Sequence, residues 1–105
     1  MTRVKFFCDA EGIIGFEFSG HSTKSGDDTE GKTVCAAVSS AVYMAANTVT
    51  EIIGDSAQVQ IDEAMMFFKV KSPTKQSRAV LEGLRLHITE LSKQYSKRIE
   101  IITEV

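Results

Sequence analysis

The chain has 105 residues, with 12 basic and 14 acidic side chains and a net charge of −2. Hydrophobic residues make up 43% and charged residues 25%, with one proline and seven glycines. These values fit one folded domain over residues 1–105, with a modest core and no long linker. Such a balance offers no basic face, so no direct nucleic-acid binding is expected.

The first segment, Arg3 to Cys8, alternates, with Val4, Phe6 and Cys8 on one face, and predicts a strand. It is too short and too charged, through Arg3 and Lys5, to be a signal peptide. Glu11-Gly12 makes a turn into a second strand marked by Ile14, Phe16 and Phe18, completing a hairpin. Residues 21 to 31 hold Gly26, Gly31, Ser, Thr and Asp and almost nothing apolar, which predicts a loop.

From about Lys32 to Ile53 the pattern is helical, with Val34, Val38, Ala41, Ala45, Val49 and Ile52 as a stripe and Gly54 as the stop. The opposite face, Ala36, Ser40, Tyr43, Asn47 and Thr50, carries no charge. A helix uncharged all round is expected to be buried between the sheet and another layer. The run Thr33 to Thr50 is long enough to raise a membrane span. Its serines, threonines and Asn47 make it fall short, so no membrane association and a reducing, cytoplasmic setting are expected.

Two more strands follow, about Ala57 to Asp62 and Ala64 to Lys71. Met65 to Phe68 is apolar on both faces, as in a central strand or one under an interface. Ser72-Pro73 reads as N-cap and first residue of a second helix that runs to about Ser96. Its stripe is Val80, Leu84, Ile88, Leu91 and Tyr95. Arg98 to Glu104 makes the last strand. The order is ββαββαβ, an α+β domain with one mixed sheet and two helices.

Chemistry concentrates at the ends of the loop. Cys35 falls in the expected first turn of its helix, where free N–H groups and the macrodipole favour a thiolate and could hold an oxyanion. A cysteine in a small buried helix is more often a compact filler. His21 ends the second strand and could act as base to Cys35 if the loop closes. Ser39, one turn beyond Cys35, shares its face. Asp27, Asp28 or Glu30 could orient His21. Cys8 reads as core, and His87 as packing near the second helix's stripe. The two cysteines, Cys8 and Cys35, do not make a disulfide framework. His21, Asp27, Asp28 and Cys35 supply metal-ligand types without a ligand-pair spacing, so neither a metal nor a cofactor is expected.

Gly20-His21, an acidic Gly-rich loop, and Val34-Cys35-Ala36-Ala37-Val38-Ser39 resemble the signature of the ribosomal-processing cysteine proteases of the Prp family. The family has Asp-Ile where this chain has Lys32-Thr33. The resemblance implies Cys35 as nucleophile, His21 as its base and Ser39 as a supporting serine. It implies as substrate the precursor of a large-subunit ribosomal protein (number twenty-seven), whose N-terminal extension is cut after a phenylalanine in a hydrophobic motif. It also implies a homodimer. The alternative is a non-catalytic homodimeric, ribosome-associated binding module with Cys35 as packing.

Overall fold

The computed structural model describes residues 1–20 and 28–105. Five strands and two helices follow the expected order: β1 (Thr2–Asp9), β2 (Gly12–Ser19), α1 (Thr29–Asn47), β3 (Ala57–Asp62), β4 (Met65–Val70), α2 (Lys75–Gln94) and β5 (Ile99–Glu104). The strands form one sheet in the order β3-β4-β2-β1-β5. Among the described residues only the β1–β5 pair is parallel, which makes the sheet mixed.

Alternation along the strands sets one apolar face. Val4, Phe6, Phe16, Phe18, Met66, Phe68 and Ile99 point into the core beneath the helices. Phe16 and Phe68 stack across β2 and β4, with centroids 5.3 Å apart, a contact worth more than its buried area alone. The other face is not fully polar: Phe7 and Phe67 pair there at 5.5 Å. In β2 the core residue is Ile13 rather than the expected Ile14. The register slips between Phe7 and Cys8, so that Phe7 opposes Gly15 and Cys8 opposes Ile13. Ile14 is the extra residue of a β-bulge, which resets the alternation.

Helix α1 begins at Thr29, one turn earlier than expected. Asp28 caps it, its Oδ1 accepting the Gly31 N–H at 3.0 Å. Arg98, just before β5, donates from Nη1 to Asp28 Oδ2 (2.8 Å) and from Nε to Glu30 Oε1 (3.2 Å). Gly31 is tolerated inside the first turn because the cap and the Arg98 fork supply what propensity lacks. Val34, Val38, Val42, Ala45, Ala46 and Val49 are its buried stripe.

Beyond Asn47 the helix continues to Ile53 with π-type bonding. That wider turn rotates Ile52 out of the stripe, and it is exposed. Gly54 closes the segment at φ +87°, a left-handed position that favours glycine. Length and composition alone would let residues 29–53 cross a membrane, yet the valine stripe is spent on the sheet. Helix α2 lies beside α1 on the same side of the sheet, so Ala36, Ser40, Tyr43 and Asn47 are left exposed in this chain. The layer expected above them is not supplied by the described residues.

The start of α2 also moves. Thr74, not Ser72, is the N-cap, accepting the Ser77 N–H at 3.2 Å. Asp55 draws the turn together, accepting from the Ser77 hydroxyl, the Thr74 hydroxyl (2.7 Å) and the Thr74 N–H (3.3 Å). The Ser77 and Thr74 hydroxyls hold the Asp55 carboxyl below the usual carboxylate range. At the same end of the sheet, Arg78 forks onto Asp9 at 2.6 and 2.9 Å. That bond and the Glu11 N–H hold Asp9 at about 2.

Two outcomes follow from this packing. Phe68→Ala should lower unfolding free energy by about 3–5 kcal/mol, the usual cost of removing a buried aromatic ring, read by denaturant titration. Asp9 is depressed from an ordinary 3.8, so its contribution is present above that pH and is lost as pH falls toward about 2. Asp9→Asn should therefore lower the melting temperature at neutral pH and flatten its fall over that acid window, the two chains converging toward about pH 2.

Candidate active site

Cys35 follows Val34, which is sealed in the core. A step of about 100° around the helix takes Cys35 to the rim, where it is half-buried. There it lines a recess of about 200 Å³ with Ser39 and Tyr43 from α1, Phe18 and Gly20 from the end of β2, and Asp62 to Met66 from the β3–β4 turn. Cys35, Ser39 and Tyr43 recur at four-residue steps, so one face of α1 supplies them all. Ser39 thus shares the recess with Cys35, as its spacing predicts.

The strand side is held by the backbone. The Gly20 N–H donates to the Ala64 carbonyl at 2.7 Å, tying the end of β2 to the β3–β4 turn. A methyl group at Gly20 would lie 3.1 Å from Cys35 Sγ and 3.2 Å from Phe18 Cζ. Those distances are tighter than ordinary contact, so the sulfur or the ring would have to give by a few tenths of an ångström, whereas glycine leaves both in place.

One expectation about Cys35 is overturned. Because α1 starts at Thr29, Cys35 is its seventh residue, about 9 Å along the axis from the first at 1.5 Å per residue. The free N–H groups of the first turn do not reach it, and the macrodipole fades within that turn. The Gly31 N–H is already taken by Asp28. Activation of the thiol by the helix start is therefore withdrawn. Asp28 and Glu30, named as possible orienting acids, both hold Arg98. His21 and Asp27 lie outside the described residues.

Cys8 is half-buried against the core, as expected. His87 differs: it is exposed, on the rim of a larger groove of about 540 Å³ between α1 and α2. That groove is lined by Ala41, Met44, Val80 and Leu84 among others and holds no cysteine. The residues that sequence reasoning missed at the Cys35 recess are Phe18, Tyr43 and the β3–β4 turn. Gly20, already quoted in the Gly-His pair, carried a local signal, as did Cys35 and Ser39.

Residues 1–100 match the family described as cysteine protease Prp. The ribosomal processing cysteine protease Prp of Bacillus subtilis (strain 168) is 24% identical over 104 residues, covering 90% of this chain and 89% of that protein. A crystal structure from Streptococcus mutans superposes with a TM-score of 0.85 at 20% identity, covering 99% of each chain. The essential ribosomal processing protease Prp of S. aureus, solved with a covalently linked product peptide, gives a TM-score of 0.85 at 13% identity. It is covered over its full length, by 99% of this chain. At those identities the two structures speak to the fold.

Gly20→Ala tests the geometry directly. The added methyl must push Cys35 Sγ or the Phe18 ring aside, so alkylation of Cys35 by iodoacetamide at neutral pH should slow at least about tenfold. Alkylation of Cys8, remote from the recess, should be unchanged.

Proposed function

Because this chain belongs to the Prp family of ribosomal-processing cysteine proteases, and is itself a cysteine protease, we propose that Cys35 is its nucleophile, His21 its base and Ser39 a supporting hydroxyl. The observation that carries the reading is the open recess at Cys35, walled by apolar side chains and kept clear by Gly20. His21 is the residue that follows Gly20 in the chain, and Gly20 lies against the sulfur, which supports the pairing.

Cys35 passes its proton to His21 as the sulfur bonds to the scissile carbonyl carbon. The tetrahedral oxyanion collapses, the C–N bond breaks, and the leaving amine takes the proton from the imidazolium. Water, deprotonated by His21, then cleaves the thioester to release a carboxylate and restore the thiol. The Ser39 hydroxyl shares the recess with the sulfur, which supports its role as a supporting hydroxyl.

The substrate we assign is the precursor of a large-subunit ribosomal protein, number twenty-seven, cut after a phenylalanine in its apolar N-terminal extension. Support comes from the name of the Bacillus relative and from the recess itself. Its volume of about 200 Å³ is below the ~300–1,000 Å³ of a pocket that encloses a whole small ligand. It suits a single side chain of a longer peptide, and Phe18, Met65 and Met66 give it an apolar wall. Work on a ribosomal precursor places the enzyme in the cytoplasm.

A homodimer belongs to the same reading. Met44 (63% exposed) lines the α1–α2 groove, and Leu86 (65%) is exposed on α2, the kind of apolar surface that marks an interface. Light scattering should give twice the chain mass, and Met44→Glu should shift it toward the single chain.

Cleavage of a peptide carrying the apolar extension decides the main assignment. Cys35→Ala should abolish it and His21→Ala should reduce kcat by about 10²–10⁴-fold, while Ser39→Ala costs less. Undiminished cleavage by Cys35→Ala would remove the nucleophile assignment.

A further inference from the structure

Among the described residues the sheet has two free edges, β3 and β5, and they are built differently. Along β5 acidic side chains recur, with Glu100 paired to Arg3 and Glu104 to Lys5. Charges of this kind are how native sheets keep an edge from pairing with other chains. The β3 edge has no such guard: residues 57 to 61 are Ala-Gln-Val-Gln-Ile, with neither charge nor proline.

The register states which groups β3 presents outward. Lys71 N–H donates to the Ser56 carbonyl at 2.9 Å, so Ser56 and Lys71 form a hydrogen-bonded pair. Along an antiparallel ladder such pairs recur every second residue. Gln58, Gln60 and Asp62 therefore spend their backbone groups on Lys69, Phe67 and Met65. The N–H and C=O groups of Ala57, Val59 and Ile61 point to the free edge. The same residues turn their side chains toward the helix side, opposite Val70, Phe68 and Met66. There they are incompletely covered: Val59 is 47% and Ile61 58% exposed. Neither helix reaches over this edge strand far enough to close it.

The edge leads to the recess. Asp62, the last residue of β3, lines the Cys35 recess, and the turn after it, Glu63-Ala64, forms part of the same wall. We propose that the β3 edge is the docking track for substrate, taking the extended apolar segment on the amino side of the scissile bond as a sixth strand. This rests on the assignment of Cys35 as nucleophile, which puts the cut end of the peptide in the recess. With that end beside Asp62, the segment runs parallel to β3. Its backbone pairs with Val59 and Ile61, and its alternate side chains lie against theirs. Main-chain bonds supply affinity for any extended chain, and the two exposed apolar side chains select one whose alternate residues are apolar.

The test reads binding rather than cleavage. A fluorescently labelled apolar peptide that ends in the phenylalanine carries no scissile bond, so its affinity reports the track whether or not Cys35 is the nucleophile. Ile61→Pro removes an N–H that faces the free edge and breaks no bond to β4, a position where a sheet tolerates proline. Its melting temperature should stay close to that of the parent chain, and its Kd for the peptide should rise at least about tenfold. N-methylation of the peptide's backbone amides one at a time leaves the protein unchanged, and should weaken binding at alternate residues only. Unchanged affinity for both the Ile61→Pro chain and every methylated peptide would overturn the track. So would an Ile61→Pro chain that loses a dimer while keeping full affinity, since the edge would then belong to a second copy. Weakened binding by Ile61→Pro together with cleavage still intact in Cys35→Ala would keep the docking edge and remove the nucleophile.

Discussion

The seating of α1 on the sheet is the constraint on which the site depends. Val34, Val38, Val42 and Val49 are sealed against a floor that includes Phe6, Phe16 and Phe68. Stiff β-branched side chains and close packing leave such a helix little freedom to slide or rotate. Cys35 follows one sealed residue and stands three before another, so its direction is set by neighbours that have no chemical role. The thiol needs no hydrogen bond to be aimed, because the core aims it.

The opposite wall is set by hydrogen bonding. Gly20 is fastened to Ala64 through its backbone, and Ala64 sits in the turn that ends β3 and begins β4. The recess therefore has one wall held by apolar packing and one held by the sheet ladder. The chain's end contributes as well. Arg98 clamps the first turn of α1 through Asp28 and Glu30, and its carbonyl accepts the Thr2 N–H at 2.9 Å. The helix start is thus anchored to the β1–β5 pair, the one parallel contact in the sheet.

Much of this was legible in the sequence because it depends on period. Alternation found β1, β3, β4 and β5 within a residue or two, and the three- and four-residue steps found both helices. What escaped was whatever depends on distant partners. Asp28 is an effective cap because Arg98, seventy residues later, holds it, and Gly31 alone reads as a breaker. Thr74 wins the cap of α2 from Ser72 because Asp55 binds it. Ile13 displaces Ile14 because β1 forces a bulge. The same blindness touched the site: Cys35, Ser39 and Gly20 carry local signals, whereas Tyr43, Phe18 and the β3–β4 turn join them only through the fold.

The absence of charge from α1 beyond Lys32 also acquires a different cause. An uncharged helix suggests burial on every side, yet Ala36, Ser40, Tyr43 and Asn47 are exposed. Going around the helix at about 100° per residue, the valine stripe faces the sheet, and Cys35, Ser39 and Tyr43 face the recess on one flank. Ala37, Ala41, Met44 and Thr48 face the α1–α2 groove on the other. A lysine or glutamate on either flank would fill a recess or be driven against apolar walls at a desolvation cost. Only the narrow outward strip could carry charge at no such cost, and its small and polar residues make no strong demand for burial. Past Lys32 the helix is uncharged because three of its four sides are already in use, by the core, the thiol recess and the groove beside α2.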